Sequence, residues 1–215
     1  VLLSIGMLAL GIPSRADTGH PRMVWMLLTF LLIGVAFMCV EVPLVQRYIQ
    51  FFGDPVAATA FVLATLLISS GVGSTLIDQI PEKVMPLALF GAILSIAMMA
   101  ACNLLLTDLV KSIVMDSGWR FVLLVFSVAP LGVAMGMPFP ILVKHLGDDK
   151  TNLVSLAWAV NGTASVVGAV GGTLLAVFSG FRMVMFIAVG TYILAYLCFV
   201  VAIRRHEAQS CHGAK

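Results

Sequence analysis

The chain has 215 residues, of which 61% are hydrophobic and only 10% charged, and its mean hydropathy is +1.10. A soluble domain of that composition would expose more apolar surface than water tolerates, and the net charge of +2 is spread singly between apolar runs, which leaves no basic stripe for nucleic acid to follow. The four cysteines, Cys39, Cys102, Cys198 and Cys211, lie far apart without a C-x-x-C pair, so they read as small packing residues rather than metal or redox ligands.

The opening run Val1–Ile12 is too short to span a bilayer and lacks a basic leader; residues 1–22 read as the end of a truncated helix plus a loop. Six apolar stretches then follow, Met23–Val42, Val56–Ile77, Val84–Leu106, Phe121–Val143, Leu153–Ser179 and Met183–Ile203. Each is long enough to cross about 30 Å of hydrocarbon at about 1.5 Å per residue, and in lipid a run of this kind must satisfy its own backbone as a helix. The expected fold is therefore all-α: a polytopic membrane protein with one six-helix domain over residues 23–203 and a tail at 204–215. Gly53-Asp54-Pro55, Gln79–Lys83, Asp116-Ser117-Gly118, Gly147–Asn152 and Gly180-Phe181-Arg182 supply turn formers and caps between the spans, and such short connections make consecutive helices antiparallel. Beyond Pro43, the segment Leu44–Phe52 puts Gln46, Arg47 and Gln50 on one side and Val45, Tyr48, Ile49 and Phe52 on the other, the pattern of a helix lying along the interface.

Eight of the twelve Lys and Arg residues (Arg15, Arg22, Lys83, Lys144, Lys150, Arg204, Arg205, Lys215) fall on one side of this arrangement and four (Arg47, Lys111, Arg120, Arg182) on the other, which predicts a cytoplasmic C-terminus.

Three features go beyond generic membrane helix. Glu41 is an acid at the end of the first span, where it reads either as a proton or cation site or as a carboxylate at the headgroup boundary. In the fifth span Trp158, Asn161, Ser165, Gly168 and Gly172 recur at three- and four-residue spacing; small residues allow close helix approach, while Trp158 and Asn161 could equally line a substrate pocket. The second span carries a similar cluster around Ser70, Gly71 and Ser74, and clusters in spans two and five fit a three-plus-three internal repeat of the transporter kind. In the fourth span Pro130, Pro138 and Pro140 remove backbone donors and should kink or break the helix, depriving the carbonyls of Phe126, Ala134 and Gly136 of their usual partners. The candidate substrate-binding residues are thus Glu41, Gln46, Trp158 and Asn161. The glycine strings inside the spans lack the strand-turn-helix context of a nucleotide loop, and neither a catalytic set nor a cofactor or metal site is expected.

The run from Gly34 through Glu41 to Arg47, its continuation through Phe51-Phe52-Gly53-Asp54-Pro55 to Ser69–Ser74, and the strings Gly136-Met137-Pro138-Phe139-Pro140 and Ala157–Gly168 resemble the membrane region of bacterial spermidine synthase-like proteins. In that family such helices, some major-facilitator-like, are joined to a cytoplasmic Rossmann-like, aminopropyltransferase-like domain. The resemblance covers most of the chain from the first to the fifth span and includes no segment of that soluble domain. It departs at Asp54, where the family pattern has His, and at Ile141 and Leu142, where it has Gly. It implies a multi-pass protein of the bacterial inner membrane that does not transfer aminopropyl groups alone: either an anchor or scaffold for a separately encoded aminopropyltransferase-like domain, or a half-size major-facilitator-like transporter, alone or as a homodimer, that moves a small cationic or amphipathic solute.

Overall fold

The computed structural model describes residues 21–110, 117–146 and 151–213. The expectations for Val1–Ile12, for the turn at Asp116 and for most of the Gly147–Asn152 connection lie outside them. The described residues form the helices α1 (Pro21–Phe52), α2 (Pro55–Leu76), α3 (Met85–Val110), α4 (Ser117–Gly136), α5 (Pro138–Leu146), α6 (Thr151–Ser179) and α7 (Phe181–Gly213), with two short 3₁₀ turns between α2 and α3. Six spans are long and apolar enough to cross a membrane, α4 and α5 together making the fourth. The chain is an all-α polytopic membrane protein.

One expectation changes at a helix end. The segment Leu44–Phe52 does not lie along the interface: α1 continues through Pro43 as one helix to Phe52, and Leu44, Arg47 and Tyr48 are buried while Gln46 and Gln50 are exposed. Burying Tyr48 and Leu44 against neighbouring helices outweighs the one backbone bond that Pro43 removes. Beyond the last span α7 runs on as helix to Gly213.

Local chemistry explains the reversals. Gly53 turns the chain at φ +74°, and Asp54 caps α2 by accepting from the Val56 and Ala57 amides at 2.9 and 3.2 Å, with Pro55 in the first turn, where no partner for its nitrogen is needed. Gly180 makes the equivalent left-handed turn between α6 and α7. The proline pair in the fourth span breaks the helix as expected: α4 stops at Gly136, Met137 bends, and Pro138 and Pro140 occupy the first turn of α5. The Ala134 carbonyl that Pro138 would have orphaned receives the Met137 amide at 3.4 Å instead. Pro130, by contrast, stays inside a continuous α4.

Consecutive helices are not the best packed. α1 is the central helix, packing most extensively on α7 and α6; α2 packs chiefly on α4, and α3 on α4 and α7. Exchanging spans one to three for spans four to six maps the α2–α4 contact onto α6–α1 and the α1–α7 contact onto α4–α3, but the α1–α2 and α6–α7 contacts have no comparable counterparts, so the pairing follows a three-plus-three repeat only in part. Both of the parallel pairs are small-residue seams. A Cβ at Gly34 would stand 2.5 Å from the Asn161 carbonyl oxygen, and one at Gly168 2.9 Å from the Val35 main chain. Across α2–α4, a Cβ at Gly73, Gly132 or Gly136 would collide with Val133, Ser69 or Ser70. The α2 hydroxyls remain compatible with lipid because they bond within their own helix, Ser70 to Leu67 O at 3.1 Å and Ser74 to Gly71 O at 2.8 Å.

Candidate functional site

Polar side chains that must be satisfied inside a membrane concentrate at the end of the bundle marked by the Gly53 turn. Arg47 of α1 is 5% exposed, and its Nη2 donates to the Leu104 carbonyl of α3 at 2.7 Å. The next residue, Tyr48, is fully buried; its hydroxyl shares a short hydrogen bond with Ser127 of α4 and accepts from Nδ2 of Asn103 in α3 at 3.2 Å. Three helices are thereby joined through one phenol. Nearer the same end, Arg120 donates to the Phe51 carbonyl at 3.2 Å and lies 5.5 Å over that ring, beside a run of contacts through Phe52, Phe121 and Phe61.

Between α3 and α4 lies a cavity of about 170 Å³ lined by Met99, Cys102, Asn103, Leu123, Phe126 and Ser127. Its walls are apolar, and its polar floor is the Asn103–Ser127 side of the same knot.

The four candidate substrate residues occupy separate environments, and none lines that cavity. Glu41 is half-buried on α1, and no described residue gives it a hydrogen bond or a neighbouring charge. Because α1 runs on to Phe52, eleven residues further, Glu41 sits about 16 Å from that helix end at about 1.5 Å per residue, inside the apolar stretch Met23–Phe52 rather than at its end. Gln46 is exposed on the opposite flank. Asn161 is turned onto Gly34, with its Oδ1 buried and without a hydrogen-bond partner among the described residues. Trp158 is 60% exposed, and its ring packs on Phe139 of α5 at 4.5 Å, which in turn packs on Phe30 of α1 at 5.4 Å.

The packing residues divide. Ser165 donates to the Gly34 carbonyl across the α1–α6 seam at 3.4 Å and to its own Asn161 carbonyl at 2.9 Å, Gly168 meets Val35, and Gly172 faces Cys39. Ser70 abuts Gly136. Gly71, however, faces outward with open space where a Cβ would stand; the glycine that makes the α2–α4 approach is Gly73, two residues on. In α7 the fully buried Tyr192 hydroxyl has no hydrogen-bond partner among the described residues.

On the opposite face of the bundle, Lys144 at the end of α5 donates to the Ile77 carbonyl at 2.8 Å and pairs with Asp78 at 3.1 Å, tying the fourth span to the end of the second. Among the described residues no group of three His, Cys, Asp or Glu side chains could hold a metal ion.

Sequence reasoning missed Asn103, Tyr48 and Arg47 as a buried set. The available signal was an amide in an otherwise apolar third span; what hid Arg47 and Tyr48 was the expectation that the helix ended at Pro43. No family model, curated protein or solved structure matches the chain.

Proposed function

We propose that this chain is a membrane-embedded anchor or scaffold unit of a spermidine synthase-like, polyamine-related system of the bacterial inner membrane, with its C-terminus cytoplasmic and with aminopropyl-transfer chemistry supplied by a separate aminopropyltransferase-like domain. The observation that carries this reading is the dispersal of Glu41, Gln46, Trp158 and Asn161 over four environments, when a transported solute would need polar groups converging on one cavity. Support also comes from α1, held at the bundle centre by main-chain approaches at Gly34 and Gly168 and by the Arg47 and Tyr48 bonds, an arrangement suited to rigidity.

A second reading, a half-size major-facilitator-like transporter of a small cationic solute, is favoured by the repeat-like helix pairing and by the depth of Glu41 in its span. One experiment separates the two. The purified protein is heated in detergent with putrescine, spermidine, S-adenosylmethionine or its decarboxylated form, and polyamine uptake is measured in proteoliposomes. A ligand at 100 times its Kd would stabilise the native state by about 2.7 kcal/mol. The scaffold reading expects no shift and no uptake, together with co-purification of an aminopropyltransferase-like subunit from native membranes. Stabilisation and uptake that both disappear in Glu41→Gln or Asn161→Ala overturn it in favour of transport.

A further inference from the structure

The cavity between α3 and α4 has no part in the scaffold, and its size and chemistry narrow what fits it. Its volume of about 170 Å³ is close to that of an engineered protein cavity of roughly 150 Å³ that stays dry and takes up benzene. A water molecule, at about 30 Å³, would leave most of it empty. Met99, Leu123 and Phe126 supply apolar walls, and none of the lining residues is charged, so nothing there answers an ammonium group or a phosphate. The mouth opens outward: Cys102 and Phe126 are exposed, whereas Asn103 is 1% exposed. Asn103 lies two residues before the end of the third span and Ser127 eight residues after the start of the fourth, about 3 and 12 Å along helices that rise about 1.5 Å per residue. The cavity therefore faces the outer part of a leaflet, where molecules with an apolar body and one polar group partition.

The hydrogen bonds at the polar side decide which polar group is wanted. Ser127 spends its one proton on the Leu124 carbonyl at 3.1 Å, so in the short bond between the two hydroxyls Tyr48 donates and Ser127 accepts. Tyr48 in turn accepts from Asn103 Nδ2 at 3.2 Å. A hydroxyl oxygen has two acceptor positions, and Tyr48 fills one, which leaves one on a side chain that lines the cavity. We infer that the α3–α4 cavity binds one neutral, ring-sized amphiphile bearing a hydroxyl, a phenol or cyclic alcohol, which enters from the bilayer and donates its proton to Ser127 Oγ. A lipid acyl chain offers no proton, and a polyamine brings charge that these walls leave unpaired. The ligand is neutral, so its binding or failure to bind leaves the scaffold reading as it stands.

The test uses the full chain in lipid nanodiscs, in a Cys211→Ser background, with phenol and the near-isosteric toluene compared at equal concentrations in the bilayer. Maleimide labelling of Cys102 at the cavity mouth reads occupancy, and saturation-transfer NMR of the ring protons reads binding without the thiol. Phenol is expected to slow labelling saturably and to bind about fivefold or more tighter than toluene, the gain from one net hydrogen bond. Ser127→Ala should reduce that preference to less than about twofold while toluene binds as before, since only the proton's acceptor is lost. Leu123→Trp, in protein with the circular dichroism of the original chain, fills the cavity and should abolish binding of both probes. Equal affinity for phenol and toluene in the original chain overturns the inference and marks an apolar void that lipid chains fill. Absence of saturable phenol binding overturns it too, as does a phenol preference that survives Ser127→Ala or phenol binding that survives Leu123→Trp.

Discussion

Alanine at Gly73 and at Gly71, two positions apart on α2, should have opposite effects. At Gly73 the new Cβ would stand 2.9 Å from the Val133 carbonyl carbon and closer still to its oxygen; at Gly71 it would meet nothing within 4 Å. Overpacking of this kind costs about 1–3 kcal/mol, and both substitutions gain up to about 1 kcal/mol from the better helix propensity of alanine. The propensity gain cancels in the comparison, so Gly73→Ala should be less stable than Gly71→Ala by about 1–3 kcal/mol, roughly a 5- to 150-fold difference in the unfolding equilibrium at 1.4 kcal/mol per factor of ten. Because the obstacle is main chain, trimming Val133 to alanine in the same molecule should not rescue Gly73→Ala. The assay is reversible unfolding by dodecyl sulfate in mixed micelles, followed by circular dichroism. Equal stability of the two variants, or rescue by Val133→Ala, would refute the α2–α4 geometry.

Arg47→Met should lower stability by about 1.5–3 kcal/mol in the same assay, the range for a charged hydrogen bond, by freeing the Leu104 carbonyl. Tyr48→Phe and Ser127→Ala should each cost about 1 kcal/mol, and the double variant should cost less than their sum because both remove one shared bond; strict additivity would show the pair to be uncoupled. Asp78→Asn should change stability by less than about 1 kcal/mol, since the ion pair is largely exposed and Lys144 keeps its bond to the Ile77 carbonyl; a larger loss would give the pair a weight that its exposure argues against. In a Cys211→Ser background, a lipid-soluble maleimide should label Cys102 in the folded protein and reach Cys39 and Cys198 only on unfolding, which mass spectrometry of the labelled peptides would read.

The spans were legible because their signal is collective: some twenty apolar residues in a row admit one solution in lipid, and single errors barely move it. Ends were less legible where a strong local rule competes with burial. Pro43 ordinarily marks a helix end, yet here a tyrosine, a leucine and an arginine beyond it have buried places on α3, α4 and their neighbours, and the helix continues. The same rule worked at Pro138 and Pro140, where two prolines fall within three residues and the chain restarts a helix instead. Small-residue faces were found to the nearest helix but not always to the nearest residue. In Ser69–Ser74 every residue but Val72 is small, so composition alone cannot choose between Gly71 and Gly73; that depends on the rotation of α2 against α4. The polar knot was the least visible, because its members come from three spans and meet only when the bundle assembles.

The continuous first helix also bears on the bilayer itself. Its apolar span, Met23–Phe52, is 30 residues or about 45 Å long, whereas the third span, Met85–Leu105, is 21 residues or about 32 Å. A lone helix of the first length would have to tilt steeply or thicken the surrounding lipid, at fractions of a kcal/mol per Å of mismatch. Here the long helix packs most extensively on two shorter spans, α7 and α6, so the thickness that lipid must match is set chiefly by the helices around it. Lengthening or shortening α1 should accordingly disturb helix packing before it disturbs sorting among membranes, while the same change in α3 should be felt by the bilayer directly.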